Sequence, residues 1–231
     1  MGWGKKPAKS RFCGVSYLGE VQANEIEFIA GKFLSDRKDL VLADFGCGGK
    51  PYKNVFERYV SKHIGVDIPL NDDADVFFDE KGRADLPDNS VDVVVSTQTL
   101  EHVDNPVFFL EEIRRVLKPG GLLITSTHGC FFYHPCPGDF WRWTAEGLKK
   151  QITNSGYHII YFKGVLGLTG LSIQLFQAAL EEKLPKHIIK PVFTYIMQVL
   201  IGIADKIDTD EEKKRDACIY FVVASKEDTG R

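Results

Sequence analysis

No two cysteines in this chain are spaced to clamp a metal or to work as a redox pair. The five, Cys13, Cys47, Cys130, Cys136 and Cys218, include no Cys-x-x-Cys. An odd number at irregular spacing argues against a disulfide framework and for reduced thiols in a cytosolic setting. Long hydrophobic runs are scarce as well. The longest, Pro191 to Ala204, is interrupted by Thr194 and Gln198 and falls short of the roughly 20 apolar residues that a membrane-crossing helix needs. Met1 to Arg11 is basic but leads into no apolar segment, so it does not read as a secretion signal. Positive charge is not in excess: 29 Lys and Arg against 32 Asp and Glu leave a net charge of −3. Nothing in that balance favours nucleic-acid phosphates as a partner. No internal repeat and no low-complexity tract is present. What the 231 residues do have is 44% hydrophobic and 26% charged side chains, enough for one large soluble α/β domain spanning 1–231.

Hydrophobic periodicity divides the chain further. Residues 1–19 read as an N-terminal tail. Val21, Ala23, Ile26, Ile29, Ala30, Phe33 and Leu34 recur at helical spacing and predict a helix over Glu20–Leu34. Short apolar runs predict strands at Leu40–Asp44, His63–Ile68, Ala74–Asp79, Val91–Thr97, Leu122–Thr127, Tyr157–Phe162 and Cys218–Ala224. Helices are expected at Pro51–Val60, at Asn105–Leu117 with Lys118-Pro119-Gly120-Gly121 as its stop, and from a Thr144 cap to Asn154. Strands alternating with helices predict a parallel sheet covered on both faces. The segment 164–207 breaks the alternation and reads as a helical insertion. Leu168, Leu171, Leu175, Ala179 and Leu184 stripe its first helix, and the second is apolar nearly all round. It serves as a substrate lid, a homodimer surface or a peripheral membrane contact. The missing basic face disfavours the last. The charged run Asp208–Asp216 reads as a solvated loop or helix end.

Chemistry concentrates after the first strand. Asp44-Phe45-Gly46-Cys47-Gly48-Gly49 sits between a strand and a helix, where ligands of such sheets bind. Its glycines permit a tight turn and close backbone approach. The third glycine of the dinucleotide fingerprint is missing, which weakens an NAD reading. Asp67 closes the second strand, 19 residues beyond Gly48, where a carboxylate can accept both ribose hydroxyls. A nucleoside cofactor without a pyrophosphate fits the pair. With Leu86-Pro87-Asp88-Asn89-Ser90-Val91-Asp92, Leu100-Glu101-His102-Val103 and Glu112-Ile113-Arg114-Arg115-Val116-Leu117-Lys118-Pro119-Gly120-Gly121, the chain resembles the class I S-adenosylmethionine-dependent methyltransferases, in the type 11-like branch. The resemblance covers about residues 40–127. It implies a Rossmann-like seven-stranded sheet of order 3-2-1-4-5-7-6 with the last strand antiparallel. It also implies S-adenosylmethionine as methyl donor and S-adenosylhomocysteine as product. Asp44, Gly46, Cys47 and Gly48 would then hold the methionine end, Asp67 and Ile68 the ribose side, Asp85 and Leu86 the adenine, and Ser96 to Gln98 the reacting centre.

The loop His128–Trp143 carries the acceptor-side candidates. His134-Pro135-Cys136-Pro137-Gly138-Asp139-Phe140-Trp141-Arg142-Trp143-Thr144 resembles a segment of methyltransferases of cell-surface polysaccharide biosynthesis, which implies a sugar, a glycan intermediate or another hydroxyl-bearing small molecule. A hydroxyl nucleophile benefits from a base within hydrogen-bond reach, and His134 is the candidate, with Asp139 either orienting it or tying the loop. His128, Trp141, Arg142 and Trp143 are candidate substrate contacts. Arg142 alternatively pairs with Asp139, and the tryptophans alternatively anchor the loop. No metal is expected. His128-x-Cys130 and His134-x-Cys136 are spaced too tightly for zinc, and Gln98 replaces the first glutamate of the Glu-x-x-Glu-His site of some O-methyltransferases. The reading is O-methylation of a small molecule or glycan intermediate. N-methylation of an amine and a non-catalytic cofactor-binding scaffold are the alternatives.

Overall fold

A computed structural model describes residues 15–135, 138–181, 183–185 and 189–227. Among them no helix is long and apolar enough to cross a membrane. The strands are β1 (Leu40–Phe45), β2 (Val60–Asp67), β3 (Val76–Phe77), β4 (Val91–Thr97), β5 (Leu117–His128), β6 (Tyr157–Gly167) and β7 (Ala217–Lys226). They form one sheet in the order β3-β2-β1-β4-β5-β7-β6. Strands β1 to β5 are parallel, and β7 runs antiparallel to both β5 and β6. Alternate side chains of β4 feed two cores: Val94 packs with Phe45, Leu110 and Ile113 on one face, and Val93 and Val95 with Ile26, Ile29 and Leu42 on the other. The strand order reverses between β1 and β4, so the carboxyl ends of these two strands open the crevice that open α/β sheets use for ligands.

The helices are α1 (Ser16–Leu34), α2 (Lys53–Phe56), α3 (Pro106–Val116), α4 (Ala145–Asn154), α5 (Leu168–Glu181), α6 (Ile189–Ala204) and α7 (Asp210–Arg215). Asn105 caps α3 by accepting from Phe108 N, with Pro106 in the first turn. Thr144 caps α4 by accepting from Gly147 N. Several boundaries differ from the sequence reading, each for a local reason. Helix α1 starts at Ser16, so the tail is shorter than 19 residues; residues 1–14, with Cys13, lie outside the described residues. The helix expected over Pro51–Val60 keeps only four residues. Val60 and Lys62 pair instead with Leu40 and Val41, and the Ser61 hydroxyl donates to Leu40 O. The strand expected over Ala74–Asp79 contracts to two residues. Strand β5 begins at Leu117 rather than Leu122. Leu117 pairs with Val91 and Leu122 with Val93, so Lys118–Gly121 bulges out of the ladder, with Gly120 at a φ of 69°. Strand β6 runs on to Gly167, taking four residues from the supposed insertion. The charged run 208–216 contains α7, opened by a capping box in which Thr209 and Glu212 satisfy each other's backbone.

Candidate active site

Strand β1 ends in a turn that only small residues can make. Gly46 has a φ of 75° and Gly48 of 48°, and a Cβ on Gly46 would collide with the Thr99 side chain. Gly46 N donates to Val66 O at 2.8 Å, and Gly48 N to the Asp67 carboxylate at 2.8 Å. Asn71 Nδ2 bridges Gly48 O and the same Asp67 oxygen at 2.9 and 2.8 Å. Asp67 therefore latches the glycine turn to the end of β2, while its other oxygen accepts from Ile68 N. Ile68 stands beside it, 43% exposed. Asp44 lies buried beneath the turn, 3.7 Å from His63 Nε2. Burial, then the nearby Asp67 charge, pushes the Asp44 carboxyl up to about 7. Burial lowers His63 to about 4. Burial raises the Cys47 thiol far above its usual range, so Cys47 lines the turn as an inert neighbour.

This donor set fits a cationic nucleoside. Two carboxylates that already repel each other are relieved by an ammonium and a sulfonium, whereas a pyrophosphate would add to the repulsion. Asp85 is exposed beyond β3, and Leu86 is half-buried against the core. At the end of β4, Gln98 is held in the left-handed region, φ 54°. Its backbone N donates to Ser126 O at 2.9 Å and its Nε2 to Ser126 Oγ at 2.9 Å. A non-glycine residue in that conformation costs free energy and clusters at functional sites. Ser96 Oγ and Gln98 Oε1 are buried without a hydrogen-bond partner among the described residues, as expected of polar groups left for a ligand.

A second polar cluster, at the ends of β4 and β5, is built on Glu101. Its carboxylate is fully buried, accepts from Thr127 Oγ1 at 2.8 Å, and faces His128 Nδ1 at 3.3 Å and His102 Nε2 at 3.9 Å. Burial pushes it up to about 7. His128, stacked on Phe131, is lowered to about 3, by burial first and then by the positive charge of Arg142. The described loop residues 129–135 and 138–142 fold over this cluster. Phe140 N and Trp141 N donate to Glu101 O, Trp143 N to His128 O, and Trp141 Nε1 to Val103 O. His102 Nδ1 meets Gly138 O. The His134 ring lies 5.8 Å from that of His102 and 6.1 Å from that of His128, in an exposed residue.

The structure thus brings His128 and His134 together with His102. Asp139 takes a narrower place than expected. It accepts from His134 N, not from the ring, and from Arg142 Nη2, both at 2.7 Å. The guanidinium holds its carboxyl well below the usual carboxylate range. Arg142 also donates to Phe131 O and Phe132 O, so Asp139 and Arg142 fasten the loop to itself. Trp141 and Trp143 stack with centroids 5.9 Å apart. Sequence reasoning missed His63, Asn71 and Glu101 as parts of the site. For His63 a signal existed: strand alternation puts it on the same face as Asp67. Among the described residues no group of His, Cys, Asp or Glu is placed to hold a metal ion, and Cys136 lies outside them.

Residues 43–125 match the family model described as a methyltransferase domain. Over 93 residues the chain is 46% identical to a Mycolicibacterium smegmatis protein named "probable S-adenosylmethionine-dependent methyltransferase", covering 38% of this chain and 36% of that one. Over 104 residues it is 34% identical to a ubiquinone biosynthesis O-methyltransferase of Cereibacter sphaeroides, covering 38% and 41%. The chain thus spans well under half the length of these curated relatives. Among solved structures, the [4+2]-cyclase SpnF aligns with a TM-score of 0.58 at 18% identity, over 98% of this chain and 86% of that one. A SAM-dependent methyltransferase from Archaeoglobus fulgidus aligns at 0.54 and 15%, over 90% and 94%. Those two likenesses speak for the fold alone. With the glycine turn and the paired carboxylates lying in or beside it, residues 43–125 form a methyltransferase domain similar to those of the class I S-adenosylmethionine-dependent methyltransferases.

Proposed function

We propose that the chain methylates a hydroxyl group on a small molecule or glycan intermediate, with His134 as the proton acceptor. The observation that carries this reading is the acceptor side of the crevice. An exposed histidine stands beside two histidines that burial holds in their neutral form, on a loop that also exposes aromatic faces: Tyr133 at 76%, Phe140 at 55% and Trp141 at 38%. Aromatic faces with few charges suit a sugar or another ring bearing hydroxyls. S-adenosylmethionine supplies a methyl group on a good leaving group, so the chain has mainly to align the acceptor and exclude water. Asp44 and Asp67 bind and orient the donor. Asp139 and Arg142 hold the loop, and through it His134, in place. As the acceptor oxygen gains the methyl, its proton passes to the His134 ring.

The reading is tested with a panel of hydroxyl, amine and thiol acceptors and with His134→Ala. Turnover should appear first among hydroxyl acceptors and fall roughly 10²- to 10⁴-fold in the variant, with S-adenosylhomocysteine affinity unchanged. Full activity of the variant would remove His134 as the base. Turnover confined to thiols or amines would reject the acceptor class.

A further inference from the structure

Helix α6 is built inside out. Toward the protein it turns Thr194 and Gln198, both under 5% exposed, together with Met197 and Ile201. Gln198 accepts from Ser16 Oγ and Tyr17 N of α1 and donates to the side-chain oxygens of Gln174 and Gln177 on α5. Toward solvent it turns Ile189, Val192, Ile196, Leu200 and Ile203, and the stripe continues to Ile207 just beyond the helix. These six are 44–68% exposed. Their spacing of three or four residues puts them on one face, and no charged residue falls between Lys190 and Asp205. At roughly 100 Å² each they present on the order of 600 Å² of apolar surface, the upper end for a monomer and close to what one side of a standard interface buries.

We propose that this face is covered by the same face of a second copy of the chain, with the two α6 helices packed antiparallel about a two-fold axis. Charge favours that occupant. By sequence the segment 181–190 at the start of α6 carries three lysines against two glutamates, and the segment 205–216 beyond its end carries six acids against four bases, so the two ends have opposite net sign. An antiparallel pair sets each basic end against the partner's acidic end and opposes the helix dipoles. The same acidic end repels an anionic bilayer. An isologous contact closes on itself, so the apolar stripe is consumed without leading to a fibre. The polar side of α6 is the anchor. Asp205 accepts from Gly167 N at the end of β6 and from the Tyr17 hydroxyl, which fixes the stripe rigidly to the catalytic domain.

The test is the mass of the full chain by light scattering at tens of micromolar, for the wild type and for Ile196→Asp and Leu200→Asp separately. The wild type should run at twice the chain mass. Each variant should lose at least 100-fold in dimer affinity and run as a monomer with unchanged circular dichroism, since both side chains are about half exposed in the single chain. A monomeric wild type overturns the proposal. So does a dimer that persists in both variants, because it uses another face. A monomer that co-sediments with phosphatidylglycerol–phosphatidylcholine vesicles, and is released by the same substitutions, assigns the stripe to a bilayer and equally overturns it.

Discussion

Asp67 has two attachments that pull in one direction. One oxygen latches Gly48 N and Asn71, and the other accepts from Ile68 N, so the acid proposed to bind the ribose also sets the shape of the glycine turn. Hydrogen bonds to a charged group are worth about 1.5–3 kcal/mol each. Asp67→Ala should therefore weaken S-adenosylhomocysteine at least tenfold in a calorimetric titration, and an unchanged affinity would end the assignment. Glu101 is read through stability instead. Its carboxyl is raised from 4.5 to about 7 by burial, so the folded state holds the proton more tightly than the unfolded chain does. The stability this contributes is complete below about pH 4.5 and is lost as pH rises through about 7. Glu101→Gln cannot ionise. Its melting temperature relative to wild type should rise between pH 5 and pH 8, and a difference independent of pH would mean that Glu101 does not titrate there.

Elements differed in how much of themselves they wrote into the chain. Strand β4 was legible end to end because its valines alternate between two cores while Asn89 and Ser90 mark its start. Helix α3 was legible through Asn105 and Pro106, and the turn after β1 through its glycines. Helix α2 was not, because four residues carry no period and β1 claims Val60 for pairing. The expected stripe of α5 held only in part: Leu171 is buried and Leu175 packs against the core. Leu168 is 55% exposed and Ala179 also faces solvent, whereas Gln174 and Gln177 are buried. Glutamine enters a core only when a distant partner satisfies it, and Gln198, 24 and 21 residues away, supplies that bond. Glu101 stayed hidden for the same reason: its neighbours come from β5, 26 and 27 residues on. Gln198→Leu should therefore destabilise the fold in spite of its greater hydrophobicity. Losing the Gln198 bonds to Ser16, Tyr17, Gln174 and Gln177 costs on the order of 1 kcal/mol each, readable as a lowered urea midpoint.

At the scale of the whole molecule, the sheet carries two buried acid–histidine pairs, Asp44 with His63 and Glu101 with His128, and each member is shifted toward its neutral form. The two acids contribute stability below about pH 4 that is lost as pH rises through about 7. The two histidines, lowered from 6.5 to about 4 and about 3, contribute stability above 6.5 that is lost as pH falls toward those values. The slopes oppose each other between about pH 4.5 and 6.5. The melting temperature of the apo chain should be nearly level across that window and decline from about pH 6.5 to 7.5, where only the acids still titrate. A steep fall between pH 6.5 and 5 in a thermal scan series would contradict the pairing. Loop 129–142 adds a consequence of another kind. It leaves the sheet at His128 and is tied back to the same residue by the Trp143 amide, so its two ends are fixed to one point. Lengthening such a loop is cheap, about 0.6 kcal/mol of closure entropy for each doubling. The molecule thereby resembles a socket with an exchangeable fitting: under the proposed function, insertions between His128 and Trp143 would change the acceptor while leaving the glycine turn and Asp67 untouched.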